Sequence, residues 1–499
     1  MPNKKQFNTK TFMALGINYV IGFGFVTTIT QVTSFGWWGL LVFVLVALFT
    51  LASAFVFSRL TNEYPNEIGS SFSYANKLKK PAFSFFIGWN QYISGPLLAG
   101  SGALFLTSIA DVFVKDSVLT DSQKSIIINV VRVLSILFFV ALIFSSTLGL
   151  KFSKKLIFFN MAIKWSVLII GMVSFVALAE KQGLLAKNFA DAASKKIDTY
   201  IIMQNVLLFS FAFRGMESLP SFSNQVKTKN FKLAMLGIFL FIFTFYLFGY
   251  ILFASTNLVS APGSAFLLIY RLTFGLTGVI LFAIYLVTYN IASLLTTTLS
   301  NARILASLSE ERYLPVSLSK LNKKNEYKNA IWFNFGLTIL SLLVFTLIPL
   351  LTVQSDGKNS VNYFNKVVEL GTIAFFMQSL GTFVTALVLA YQKRIAPIPW
   401  YEQATYYFSI IFILIVTLVN FIPPIGGKNT FTLGDGITLI SYAISMIFGF
   451  ALYLYSWHFK KKEHIQIEKE HSTKDLSRYE LEKLGLKTND IDSDYVSES

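Results

Sequence analysis

The sequence predicts an all-α membrane protein with twelve transmembrane helices. Three observations carry that reading. The 499 residues are 54% hydrophobic and only 14% charged, where a soluble domain usually has about 25% charged residues. Twelve apolar runs reach spanning length. The basic residues between those runs alternate in density, loop by loop, as they do in a polytopic protein.

The runs are 11–33, 38–58, 82–110, 126–146, 156–179, 200–222, 233–255, 266–300, 330–351, 367–391, 405–423 and 436–457. The third and eighth are overlong, which predicts tilt or extension beyond the hydrocarbon. With the N-terminus inside, the inner segments hold 29 Lys and Arg and the outer loops hold 9. That bias predicts both termini in the cytoplasm and requires an even number of spans. The first run lacks a small-residue cleavage site and is followed at once by a second, so no cleavable signal peptide is expected.

Composition also excludes chemistry. There is no cysteine, so disulfides and thiolate metal sites are ruled out. His458, His464 and His471 all follow the last apolar run. No histidine-based catalytic or metal set can form within the membrane portion, no cofactor is expected, and no nucleophile–base pair points to an enzyme. The net charge of +16 resides in short loops between apolar runs, so it marks membrane topology and not nucleic-acid binding.

The first run contains Gly16-Ile17-Asn18-Tyr19-Val20-Ile21-Gly22-Phe23-Gly24-Phe25. Glycine lets a helix open at little steric cost. An opened turn leaves N–H and C=O groups without partners, which in hydrocarbon costs several kcal/mol per group unless protein or a wet cavity answers them. A small polar ligand held at mid-membrane would complete those bonds, as in secondary transporters. Alternatively, Gly22 and Gly24 only let a neighbouring helix pack closely. The sixth run carries Arg214-Gly215-Met216-Glu217 and then Pro220. It lies five spans after the first, so the two interruptions would sit in inverted halves, and that pairing favours a midplane binding site.

Four basic residues fall inside runs: Arg132, Lys164, Arg214 and Arg271. Lys164 is mid-run. A lysine there that can lose its proton is a candidate coupling site, and the alternative is one that snorkels to an interface. Glu217 lies three residues after Arg214, on the same helical face. The two either neutralise each other, or Glu217 gates or exchanges protons while Arg214 meets a substrate carboxylate. Arg132 and Arg271 read as interfacial. Ser293, Thr296, Thr297 and Thr298 line a cavity or bond back to their own helix. The loop from Arg59 to Lys80 is punctuated by Pro65 and Gly69 as a turn or short surface helix. The tail from His458 reads as cytosolic and solvated, with Ser477-x-x-Glu480 able to cap one short helix.

At these residues the sequence resembles the amino acid–polyamine–organocation superfamily of permeases, over about Thr11 to Tyr391. Gly16-x-x-x-x-Ile21-Gly22-x-Gly24 is similar to that family's first-helix signature. Tyr64-Pro65 through Gly69 and Tyr74, then Gly88-Trp89, resembles its loop from helix two into helix three. Phe211-Ala212-Phe213-Arg214-Gly215-Met216-Glu217 resembles its helix-six break. Asn301-Ala302-Arg303-Ile304-Leu305, then Tyr313-Leu314-Pro315, resembles the segment ending helix eight.

The resemblance implies two inverted five-helix repeats of the leucine-transporter type, 11–179 and 200–391, plus two extra helices over 405–457, with 1–10 and 458–499 as cytoplasmic ends. It implies that the amides of Gly22, Phe23 and Gly24, beside Ile21, hold a substrate α-carboxylate at the positive end of a half-helix. The carbonyls of Val20, Phe211 and Arg214, next to Gly215, would take the α-ammonium, and the Phe211 ring would gate. Lys164 matches a lysine that some members use for proton coupling. Three departures stand out: Phe23 replaces a small residue, Arg214 is unusual in the break, and Asn224-Gln225 replaces an acidic pair before Lys227.

The function expected is a plasma-membrane permease for a small-molecule amino acid, working by alternating access, with protons as a candidate coupling partner and the lipid bilayer as its setting. Exchange of one amino acid for another or for an amine is the alternative, and a non-transporting sensor a further one. Substrate and oligomeric state are left open.

Overall fold

The computed structural model describes residues 7–65, 67, 69–115, 120–145, 150–194, 196–227, 230–260, 265–322, 326–344, 357–428, 431, 433–470 and 477–483. The first apolar run is not one helix. It forms α1 (Thr9–Val20) and α2 (Phe23–Thr33), bent by 54° across Ile21 and Gly22. There follow α3 (Trp37–Glu63), the short α4 (Ser71–Asn76), α5 (Pro81–Lys115), α6 (Asp121–Ser145), α7 (Leu150–Gln182) and α8 (Leu185–Ala193). The second set is α9 (Thr199–Ser210), α10 (Phe231–Ala254), α11 (Ala265–Glu310), α12 (Lys328–Leu342) and α13 (Gly357–Tyr391), then α14 (Trp400–Phe421) and α15 (Leu433–Glu470).

Among the described residues, eight of these helices are long and apolar enough to cross a membrane, and the bent pair makes a ninth. The other three apolar runs carry helix too: α5, α9 with its 3-10 continuation, and α12. Outward faces are apolar, with Leu240 of α10 at 62% and Ile447 of α15 at 68% exposure. Such faces are stable against lipid and would not be against water.

Two overlong runs resolve differently. α5 continues through Pro96 to Lys115. α11 bends at Gly275, whose φ is +60°, and then extends well past the apolar stretch to Glu310. The helical pattern has one departure among the described residues: a parallel pair of two-residue strands, β1 (Phe7–Asn8) and β2 (Val226–Lys227). It ties the start of α1 to the segment following the second helix break.

Charged clusters fasten the periphery. Glu402 at the start of α14 is 1% exposed and takes Lys232 of α10 at 2.6 Å and Arg59 of α3 at 2.8 Å. Asp435 of α15 joins Lys428 at 2.5 Å and Lys366 of α13 at 3.2 Å. Residues 477–483 of the tail differ from the solvated end expected there. Ser477 is fully buried and caps α16 (Arg478–Lys483) reciprocally: its N–H donates to Glu480 Oε2 at 2.8 Å, and the Glu480 N–H donates to its Oγ at 3.1 Å. The capping box forms as the spacing predicted. It docks because Arg394 pairs with Glu480 at 3.3 Å, and the Tyr479 N–H donates to Glu63 at 3.2 Å.

Candidate functional site

The first break forms where α1 runs out of helical geometry. Ile21 still donates its N–H to Ile17 O at 2.9 Å, but its backbone is extended, and Gly22 is extended as well, with φ −165°. An extended φ does not require glycine. What requires it at 22 is space, because a Cβ there would lie 2.3 Å from the Tyr289 ring.

The second break is longer. α9 gives way at Phe211–Phe213 to a 3-10 turn, Arg214 is extended, and Gly215 has φ +122°. That angle is open to glycine and disfavoured for any residue with a Cβ. Met216–Gln225 continues as 3-10 helix around Pro220.

The two breaks touch. A Cβ on Gly24 would fall 2.7 Å from Ala212 Cα and 2.8 Å from Phe211 O, and one on Gly215 would fall 2.6 Å from the Tyr19 ring. Tyr246 of α10 joins them, donating its hydroxyl to Ala212 O at 2.7 Å and, more weakly, to Val20 O at 3.4 Å.

Each break is completed by a charged side chain of this protein. Lys164 of α7 is 1% exposed and donates to Asn18 O at 2.6 Å and to Ile21 O. It does not snorkel. Its cation stands at the C-terminal, partially negative end of α1, where a positive charge is favoured. At the second break, Glu217 Oε2 accepts the Gly215 N–H at 2.7 Å. That anion stands at the opposite kind of terminus, where amides point outward. Of the partners the sequence reading allowed for the opened backbone, the protein itself supplies part.

Between the breaks lies a cavity of about 140 Å³. Val20, Phe23, Gly24, Phe211, Arg214, Gly215 and Glu217, all foreseen from the sequence, line it. Ile21, Gly22 and Lys164 stand behind its wall: Ile21 is fully buried, Gly22 is under Tyr289, and Lys164 lies 5.3 Å from the centre of that same ring. The Phe23 ring stacks on Tyr289 at 6.1 Å and meets Phe211 edge-on at 6.3 Å, so three aromatic rings cover one side. The Phe211 carbonyl oxygen turns toward Gly24. Arg214 and Glu217 form an ion pair, as one of the two expectations had it, with Nε 3.6 Å from Oε1, too long for a hydrogen bond. Thr297 lines the cavity and Thr298 is buried nearby. The side chains of Ser293, Thr296, Arg132, Asn224 and Gln225 lie outside the described residues.

Sequence reasoning missed Tyr246 and Tyr289. The one available signal was a hydroxyl-bearing ring in the middle of an otherwise apolar span, which needs a partner in hydrocarbon.

A family model described as "Amino acid permease" matches residues 7–455. The chain belongs to the amino acid permease family. This permease is 27% identical to the uncharacterized protein MG225 of Mycoplasma genitalium, over 90% of its own length and 95% of that protein's. It is 28% identical to the uncharacterized protein MG226 of the same organism, covering 92% and 97%. An uncharacterized homolog of MG226 from Mycoplasma pneumoniae is 25% identical, covering 90% and 94%. Family membership makes this permease a multi-pass membrane transporter of a small molecule, a role that broken, touching helices around a cavity suit well.

Proposed function

We propose that this permease is a secondary active amino acid transporter of the plasma membrane, working by alternating access and coupled to protons. Twelve spans form two inverted five-helix repeats, 11–179 and 200–391, with 405–457 added and both ends in the cytoplasm. The helix in every apolar run and the loop-charge bias support that topology.

One observation carries the reading: Gly24 of the first break lies against Phe211 and Ala212 of the second, at the wall of a cavity lined by polar and apolar groups alike. The amino end of α2, at Phe23 and Gly24, receives the substrate carboxylate, and the carbonyls of Val20, Phe211 and Arg214 receive the ammonium. Phe211, Phe23 and Tyr289 cover the occupant.

Lys164 supports proton coupling. Protonated, it holds Asn18 and Ile21 carbonyls; neutral, it holds them less strongly, because charge-assisted hydrogen bonds are roughly twice as strong as neutral ones. Proton binding therefore tightens the first break. An inward-negative potential adds about 2.3 kcal/mol per imported charge per 100 mV.

The test is uptake of labelled amino acids by the purified protein in proteoliposomes, with and without a pH gradient. Accumulation should follow the gradient and lose that response in Lys164→Ala. Uptake confined to preloaded vesicles would replace symport with exchange, and failure to carry any amino acid would end the proposal.

A further inference from the structure

The cavity has two places that seek an anion. One is the N-terminus of α2 at Gly24. The other is the Arg214 guanidinium, which the rest of the wall leaves under-satisfied. Its Nη2 donates to Ser94 Oγ at 2.9 Å, while its buried Nε has no hydrogen-bond partner. A guanidinium presents five donors in a fork suited to a carboxylate held by two bonds.

Glu217 pairs with the charge of Arg214 but leaves its fork of donors unused. One oxygen holds the Gly215 N–H, and the other stands 3.6 Å from Nε, beyond hydrogen-bond length. The Phe375 ring, 5.3 Å from the guanidinium carbon, favours the cation but offers no acceptor. On the same wall Gln378 is fully buried, with its Nε2 donating to Ser71 Oγ at 2.9 Å and its Oε1 without a partner. That oxygen suits an ammonium or an amide. A neutral amino acid brings one carboxylate to a cavity with two anion-seeking sites.

We propose that the substrate is an amino acid with an acidic side chain, and that Arg214 selects it by pairing with the side-chain carboxylate while α2 holds the α-carboxylate. The proposal rests on the permease reading of this cavity. It makes the amide analogue the informative competitor, since asparagine or glutamine keeps the size and shape but loses the charge.

The experiment is uptake by the full chain in proteoliposomes, using labelled aspartate and glutamate against asparagine and glutamine. The wild type should favour the acids by about tenfold or more, the size of one charge-assisted contact. Arg214→Gln should lower the acid-to-amide uptake ratio about tenfold or more, whatever it does to total uptake. Ser94→Ala, which removes the guanidinium's bond to that hydroxyl, should shift it the same way by a smaller factor. A wild type that carries other amino acids in preference overturns the proposal and leaves the permease reading intact, as does an acid-to-amide ratio unmoved in Arg214→Gln. A wild type that neither carries nor binds any of the twenty amino acids overturns both. Should Arg214→Gln fail to fold, the wild-type preference and Ser94→Ala decide the matter.

Discussion

The Lys164 ammonium stands 2.6 Å from the carbonyl oxygen of Asn18, a residue 146 positions earlier in the chain. With Ile21 O on the same nitrogen, one side chain anchors the end of α1. Lys164→Ala should leave both carbonyls unanswered, at about 1–3 kcal/mol each. Thermal unfolding in detergent reads this directly, as a large drop in the midpoint. A variant as stable as the wild type would mean that another group holds those carbonyls.

Glu217 allows a cleaner separation. Glu217→Gln keeps an oxygen for the Gly215 N–H, whereas Glu217→Ala removes it. The glutamine variant should stay close to wild-type stability, and the alanine variant should lose about 1–3 kcal/mol. Equal losses in both would assign the contribution of Glu217 to its charge beside Arg214 instead.

Gly24 and Gly336 make a matched pair. Gly24→Ala drives a methyl to 2.7 Å from Ala212 Cα, backbone that cannot move aside, whereas Gly336→Ala meets nothing within 4 Å. The first should separate the breaks, abolish uptake and cost about 1–3 kcal/mol. The second lies inside α12 and should stabilise by about 0.5–1 kcal/mol. Uptake assays and melting curves on both variants check the contrast.

How much of this was legible in the sequence follows from which forces are local. Spans could be read because hydrocarbon demands a fixed length of apolar helix, and each run does carry helix. The breaks could be read from Gly22, Gly24, Gly215 and Pro220. Their partners could not. Nothing near Lys164 names Asn18 or Ile21, and Tyr246 looks like any core ring until Ala212 O appears beside its hydroxyl. Gly22 was read as freedom to bend or as room for a neighbouring helix, and both hold: the chain bends there and the Tyr289 ring fills the space.

Glu402 lies between two cations of different exposure, Arg59 at 14% and Lys232 at 36%. Glu402→Ala should cost about 3–5 kcal/mol, because it strands a mostly buried guanidinium. Lys232→Ala should cost less than about 1 kcal/mol, since solvent already screens that lysine. Unfolding midpoints of the two variants should therefore fall in that order.

Removing residues 477–499 should strip the Ser477–Glu480 cap from Arg394 and Glu63. Arg394, which also donates to Lys77 O, and the end of α3 then lose that support, and the amides of the loop between α3 and α5 should exchange with deuterium faster. Exchange unchanged in residues 59–80 would show that the tail merely rests there.

Because Lys164 and Glu217 are tethered to the chain, both elbows are braced whether or not cargo is aboard. A carrier whose braces came only from its passenger would be reluctant to turn around unladen. Under the symport proposed above, braces built into the chain lower the cost of turning round unladen, which is the step that net import requires and obligatory exchange avoids.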